Sequence, residues 1–154
     1  MTLETWELLS YVVTVIGLPA AIAAFLFEKR KERQTQEDEV HQLLSDNYQD
    51  FLKTALEYVD LHLFTTEETQ DLGPEQREQM RIIFGVLISI FERAYVLMYE
   101  RRMSREQSRR WLAWEDYMRE WCQREDFRRM LPELLLGEDW DFKEYIEGLV
   151  AGSH

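Results

Sequence analysis

The sequence predicts an all-α protein, with an N-terminal transmembrane helix continuing into a cytoplasmic bundle of about four helices. Three observations predict it. Leu8 to Phe27 is an uncharged, mostly apolar run, closed at once by Glu28-Lys29-Arg30-Lys31-Glu32-Arg33. Beyond it, apolar residues recur at three- and four-residue steps, the period of a helix with one buried face. No stretch alternates apolar and polar residues between turn residues, as a half-buried strand does.

The elements follow in chain order. Residues 1–7 read as an extracytoplasmic N-terminus and 8–27 as the span, since about 20 residues at roughly 1.5 Å each cross a hydrocarbon core of about 30 Å. Trp6 and Tyr11 suit the outer headgroup layer. A cleaved signal peptide needs a basic leader, and the residues before this run carry Glu4 and Glu7 but no Lys or Arg. The bases Lys29, Arg30, Lys31 and Arg33 lie on the other side, so the positive-inside rule places the C-terminal domain in the cytoplasm of a single-pass inner-membrane protein. Gly17 with Ala21 and Ala20 with Ala24 form small-x-x-x-small pairs, a pattern by which spans pack together.

Residues 28–39 read as a charged juxtamembrane helix, and 40–154 as the cytoplasmic domain. A first stripe runs Val40, Leu43, Leu44, Phe51, Leu52, Ala55, Leu56 and Val59, with Tyr48 bridging its gap. A polar loop over 65–73 precedes Pro74, which suits a helix's first turn. The next helix, about 75–101, is apolar almost all round and is expected at the centre of the core. Glu92 and Arg93 are the charged residues in its apolar length and candidates for buried polar groups, paired with neighbouring helices or set at the helix edge, and their charges argue against a second span. Ser104 and Gln107 form a capping box for a third helix, along which Trp111, Trp114, Met118 and Trp121 recur at helical spacing. The three indoles read as core, or as an aromatic groove for a ligand. A short helix near Phe127–Leu136 contains Pro132 and stops at Gly137. Asp141 and Glu144 resemble a second capping box, for a last helix ending near Gly148.

Charge and composition exclude several functions. The net charge is -12. Residues 1–33 hold Glu4, Glu7, Glu28 and Glu32 against the same four bases, so the whole excess lies in 34–154. Such a domain repels a phosphate backbone, and no nucleic-acid partner is expected. Cys122 is the single cysteine, which suits a reducing compartment and allows no cysteine metal site. His41, His62 and His154 fall in no ligand spacing, so no metal and no cofactor are expected. Nor is there a nucleophile elbow, a P-loop, a dinucleotide fingerprint or a kinase motif. Arg101, Arg102, Arg105, Arg109 and Arg110 cluster between the second and third helices, where a simple reversal of the chain brings them toward anionic headgroups or a partner.

Three segments, Tyr11 to Ala20, Ile88 to Tyr95 and Trp114 to Phe127, resemble those of a type of bacterial single-pass membrane protein with a small cytoplasmic helical domain. The resemblance implies that architecture and supplies neither an activity nor a functional residue. The expected function is non-enzymatic: a membrane-anchored accessory or regulatory subunit acting through helix–helix contacts. Its expected partners are the lipid bilayer and either further copies of itself or a larger membrane protein complex. The alternative is a membrane-tethered sensor or effector, in stress or phage defence, that binds a small ligand or lipid.

Overall fold

The structure is a computed structural model that describes residues 18–152. Its elements are α1 (Leu18–Glu57), a 3-10 turn (Val59–Leu61), α2 (Pro74–Met98), α3 (Arg105–Cys122), α4 (Glu125–Leu134) and α5 (Trp140–Ala151). The fold is all-α, with no strand among the described residues. The chain divides into two compact units, Met1–Val40 and His41–His154.

The first unit corrects the membrane assignment. No helix among the described residues is long and apolar enough to cross a membrane. Within the described residues, Leu18 to Phe27 are the uncharged stretch of α1, and from Glu28 onward the helix is rich in charge. On that finding the single-pass inner-membrane reading and its topology are corrected. Residues 8–17 of the expected span, with Trp6, Tyr11 and Gly17, lie outside the described residues.

The second unit is a helical bundle. The C-terminal part of α1 buries Leu44, Tyr48, Phe51 and Ala55. These residues step by four, three and four, so they form one narrow seam. Leu43, Leu56 and Val59, expected in the same stripe, are exposed. Pro74 opens α2 as expected, and the Gly73 amide donates to Gln76 Oε1 at 3.0 Å. Gln76 Nε2 in turn donates to Asp60 Oδ2 at 2.7 Å, tying the 3-10 turn to the start of α2.

Helix α2 buries Met80, Ile83, Phe84, Leu87, Ile88, Phe91 and Ala94. Helix α3 begins at its predicted capping box: Ser104 Oγ accepts from the Gln107 amide at 3.2 Å, and Gln107 Oε1 accepts from the Ser104 amide at 2.9 Å. It buries Trp111, Trp114, Met118 and Trp121. Pro132 sits inside α4, and Gly137 follows with φ +88°, a left-handed conformation that glycine adopts without a Cβ clash. The second capping box is corrected. Asp139, two residues before Asp141, caps α5 and accepts from the Phe142 amide at 3.0 Å.

Candidate functional site

The most informative surface is on α2. Its sequence is apolar almost all round because the helix carries two apolar faces. One is the core face. The other runs Ile82, Val86 and Ile90, with Leu97 a further two turns along. Ile82, Val86 and Leu97 are 56%, 48% and 51% exposed. At 100° per residue, Glu75, Gln79, Ile82, Val86, Ile90, Arg93 and Leu97 fall within about 40° of one line along the helix. The core face is centred more than about 100° away.

Beside this stripe lies a groove of about 550 Å³, formed between α2 and the C-terminal part of α1. Ile82, Val86 and Ile90 line it from α2, Asp50 and Thr54 from α1, and Tyr58 from just beyond the end of α1. Arg93, also at its edge, is exposed and makes no ion pair among the described residues. Glu75, in the first turn of α2, is likewise exposed and unpaired among them. The apolar length of the stripe thus lies between an acid and a base.

The indoles sit differently. Trp111, Trp114 and Trp121 are 3%, 2% and 4% exposed and offer no open aromatic groove. Trp121 Nε1 donates to Tyr48 Oη at 3.2 Å, and its ring meets Phe51, Phe84 and Phe127. Trp111 Nε1 donates to Tyr145 Oη at 3.2 Å. The Tyr145 hydroxyl donates to Glu115 Oε2, and Arg119 Nη2 lies 2.6 Å from Glu115 Oε1. Burial raises the Glu115 carboxyl, but the Tyr145 and Arg119 hydrogen bonds outweigh it and hold the group below the usual range. Burial, then the bond to Glu115, pushes the Tyr145 phenol up.

Glu92 faces the α4–α5 connection, where its Oε1 accepts from the Asp139 amide at 2.5 Å. Glu138 hydrogen-bonds the same carboxylate. That bond, burial and the Glu92 charge raise the Glu138 carboxyl to about 7. Arg93 points elsewhere, to the groove, as the 100° step between neighbours requires.

In the arginine cluster, Arg110 Nη2 pairs with Glu106 at 3.0 Å. Arg101, Arg102, Arg105 and Arg109 are exposed. Arg101 borders a cleft of about 290 Å³ with Tyr95, Tyr99, Asp139 and Asp141. Ala20, Ala21 and Ala24 are exposed on α1, as are Lys29, Arg30, Lys31 and Arg33. The Lys29 ammonium lies 5.5 Å above the Phe25 ring. No group of acids, histidines and cysteine suited to a metal ion occurs among the described residues.

Sequence reasoning missed Arg124 and Asp126, which are 1% and 2% exposed. Arg124 Nη1 donates to the His62 carbonyl at 2.7 Å and the Thr65 carbonyl at 3.0 Å. Its Nη2 donates to Thr69 Oγ1 and Asp126 Oδ2, each at 2.8 Å. Nε lies 2.6 Å from Asp126 Oδ1, but off the direction of a hydrogen bond. The guanidinium thereby fastens the 62–69 loop to the α3–α4 junction. The only signal in the sequence was its position, at a break between two helices; arginine is usually a surface residue.

No family model, curated protein or solved structure matches this chain.

Proposed function

We propose that this protein is a non-enzymatic interaction module whose working surface is the second apolar face of α2, and that the surface takes an amphipathic helix. One observation carries the reading: Ile82 and Val86 stand half exposed beside a groove of about 550 Å³, while all three tryptophans of α3 are packed away. Contiguous exposed apolar surface of this kind marks interaction sites in folded proteins. A helix laid in a groove anchors through residues at three- and four-residue steps, and Ile82, Val86 and Ile90 offer a row of four-residue steps in return. Arg93 and Asp50 at the groove's edge supply charges of both signs for registering a partner.

A fluorescent synthetic helix built from Leu, Lys and Glu, with one apolar face and no net charge, is the probe. Its anisotropy should rise saturably with added protein. Val86→Glu should weaken the binding at least about tenfold, whereas Trp140→Ala, at an exposed position on α5, should leave it unchanged. Equal binding by wild type and Val86→Glu would overturn the reading.

A further inference from the structure

The stripe on α2 is self-complementary. About Val86, its members lie four, seven and eleven residues away on either side: Ile82 and Ile90, Gln79 and Arg93, Glu75 and Leu97. We propose that its partner is the same stripe on a second copy of the chain, antiparallel about a two-fold axis through Val86. The proposal rests on the interaction-module reading and names its partner. A two-fold interface brings one patch against itself, so each residue meets its mirror position. Val86 then meets Val86, and Ile82 of each copy meets Ile90 of the other.

Charge complementarity favours this occupant. In the antiparallel register Arg93 of one copy lies across from Gln79 of the other, one turn, or about 6 Å, from Glu75. Both Arg93 and Glu75 are exposed and without an ion pair among the described residues. The symmetry forms the pair twice, once at each end of an apolar centre. A parallel arrangement would instead set Arg93 against Arg93 and Glu75 against Glu75. The steps of four, three, four, four, three and four along the stripe let the side chains of one helix enter the spaces of the other.

Light scattering on the eluting full-length protein should give twice the 18.7 kDa of one chain. Val86→Cys should form a disulfide-linked dimer under mild oxidation. Ile82→Cys and Ile90→Cys should cross-link when mixed and not alone. Cys122 will not interfere, because it is fully buried and its thiol is pushed up to about 12. Arg93→Glu should weaken the dimer at least about tenfold, and adding Glu75→Arg should restore it. Val86→Glu should give a monomer with the helical circular dichroism of the wild type.

A dimer that survives Val86→Glu and does not cross-link at position 86 overturns the proposal. A monomeric wild type that binds the Leu/Lys/Glu helix overturns self-pairing alone. A monomer that binds no helix overturns both readings.

Discussion

At the scale of single residues, Arg124 and Glu138 make opposite predictions about charge. Arg124→Met removes the charge partner of the buried Asp126 carboxylate, leaves the Thr65 carbonyl without its donor and takes one of three donors from the His62 carbonyl. Breaking a buried pair from one side typically costs about 3–5 kcal/mol. Urea denaturation of the variant should show a loss of that size. Arg124→Met with Asp126→Leu should lose less than the two single losses added, because the second change removes the stranded charge.

Glu138 gives a pH dependence. Its folded-state carboxyl is raised to about 7, above the usual carboxylate value of about 4.3. Between those values the folded chain holds a proton that the unfolded chain has released, so the protonated group stabilises the fold. That contribution is fully present below the unfolded value and is lost as pH rises through about 7. The lowered carboxyls Glu68 and Glu115 act in the other direction, losing their contribution only as the solution becomes acidic. The thermal midpoint should therefore fall between pH 5 and pH 8, and Glu138→Gln should flatten the fall and raise the midpoint at pH 8.

At the scale of elements, helix ends were legible where a side chain and its spacing coincide, and less so where two acids compete. Ser104 with Gln107 and Pro74 after Gly73 were readable because each satisfies a specific end group of its helix. Asp139 and Asp141 both precede apolar residues, and the left-handed Gly137 sets which of them meets the first turn of α5. Asp139→Ala should cost about 1 kcal/mol, the usual value of a lost cap, and Asp141→Ala no more than about 0.5 kcal/mol. Gly137→Ala should cost a further 1–2 kcal/mol or about that, since its φ of +88° is one an L side chain resists. Chemical denaturation of the three variants checks the ordering.

The stripe on α1 was wider in the sequence than in the fold. Periodicity collected Leu43, Leu56 and Val59 with the true seam, because Leu43 and Leu56 adjoin it and Val59 continues its four-residue step past the end of α1. Periodicity names a direction around a helix and cannot tell how wide the neighbour is.

At the scale of the whole molecule, the all-α class and the bundle were legible from periodicity and caps. The membrane span was the costly misreading: a run of apolar residues was taken as one lipid-facing helix, whereas no helix among the described residues is long and apolar enough to cross a membrane. The second face of α2 was hidden for a related reason. A helix that is apolar all round signals burial, but sequence alone cannot separate burial within a chain from burial against another. Arg124 was out of reach because, Asp126 apart, its partners are backbone carbonyls and threonines about 60 residues away, which leave no local pattern.

Neighbouring apolar residues of α2 differ in burial: Leu87 belongs to the core and Val86 to the face proposed for a partner. The most direct measurement is urea denaturation of Val86→Glu and Leu87→Glu at protein concentrations dilute enough to keep each chain single. Leu87 is 0% exposed and Val86 48%. The account predicts that Val86→Glu changes stability by no more than about 0.5 kcal/mol, as surface substitutions do, while Leu87→Glu buries an unpaired charge and loses at least about 4 kcal/mol or fails to fold. Comparable losses in the two variants would contradict it.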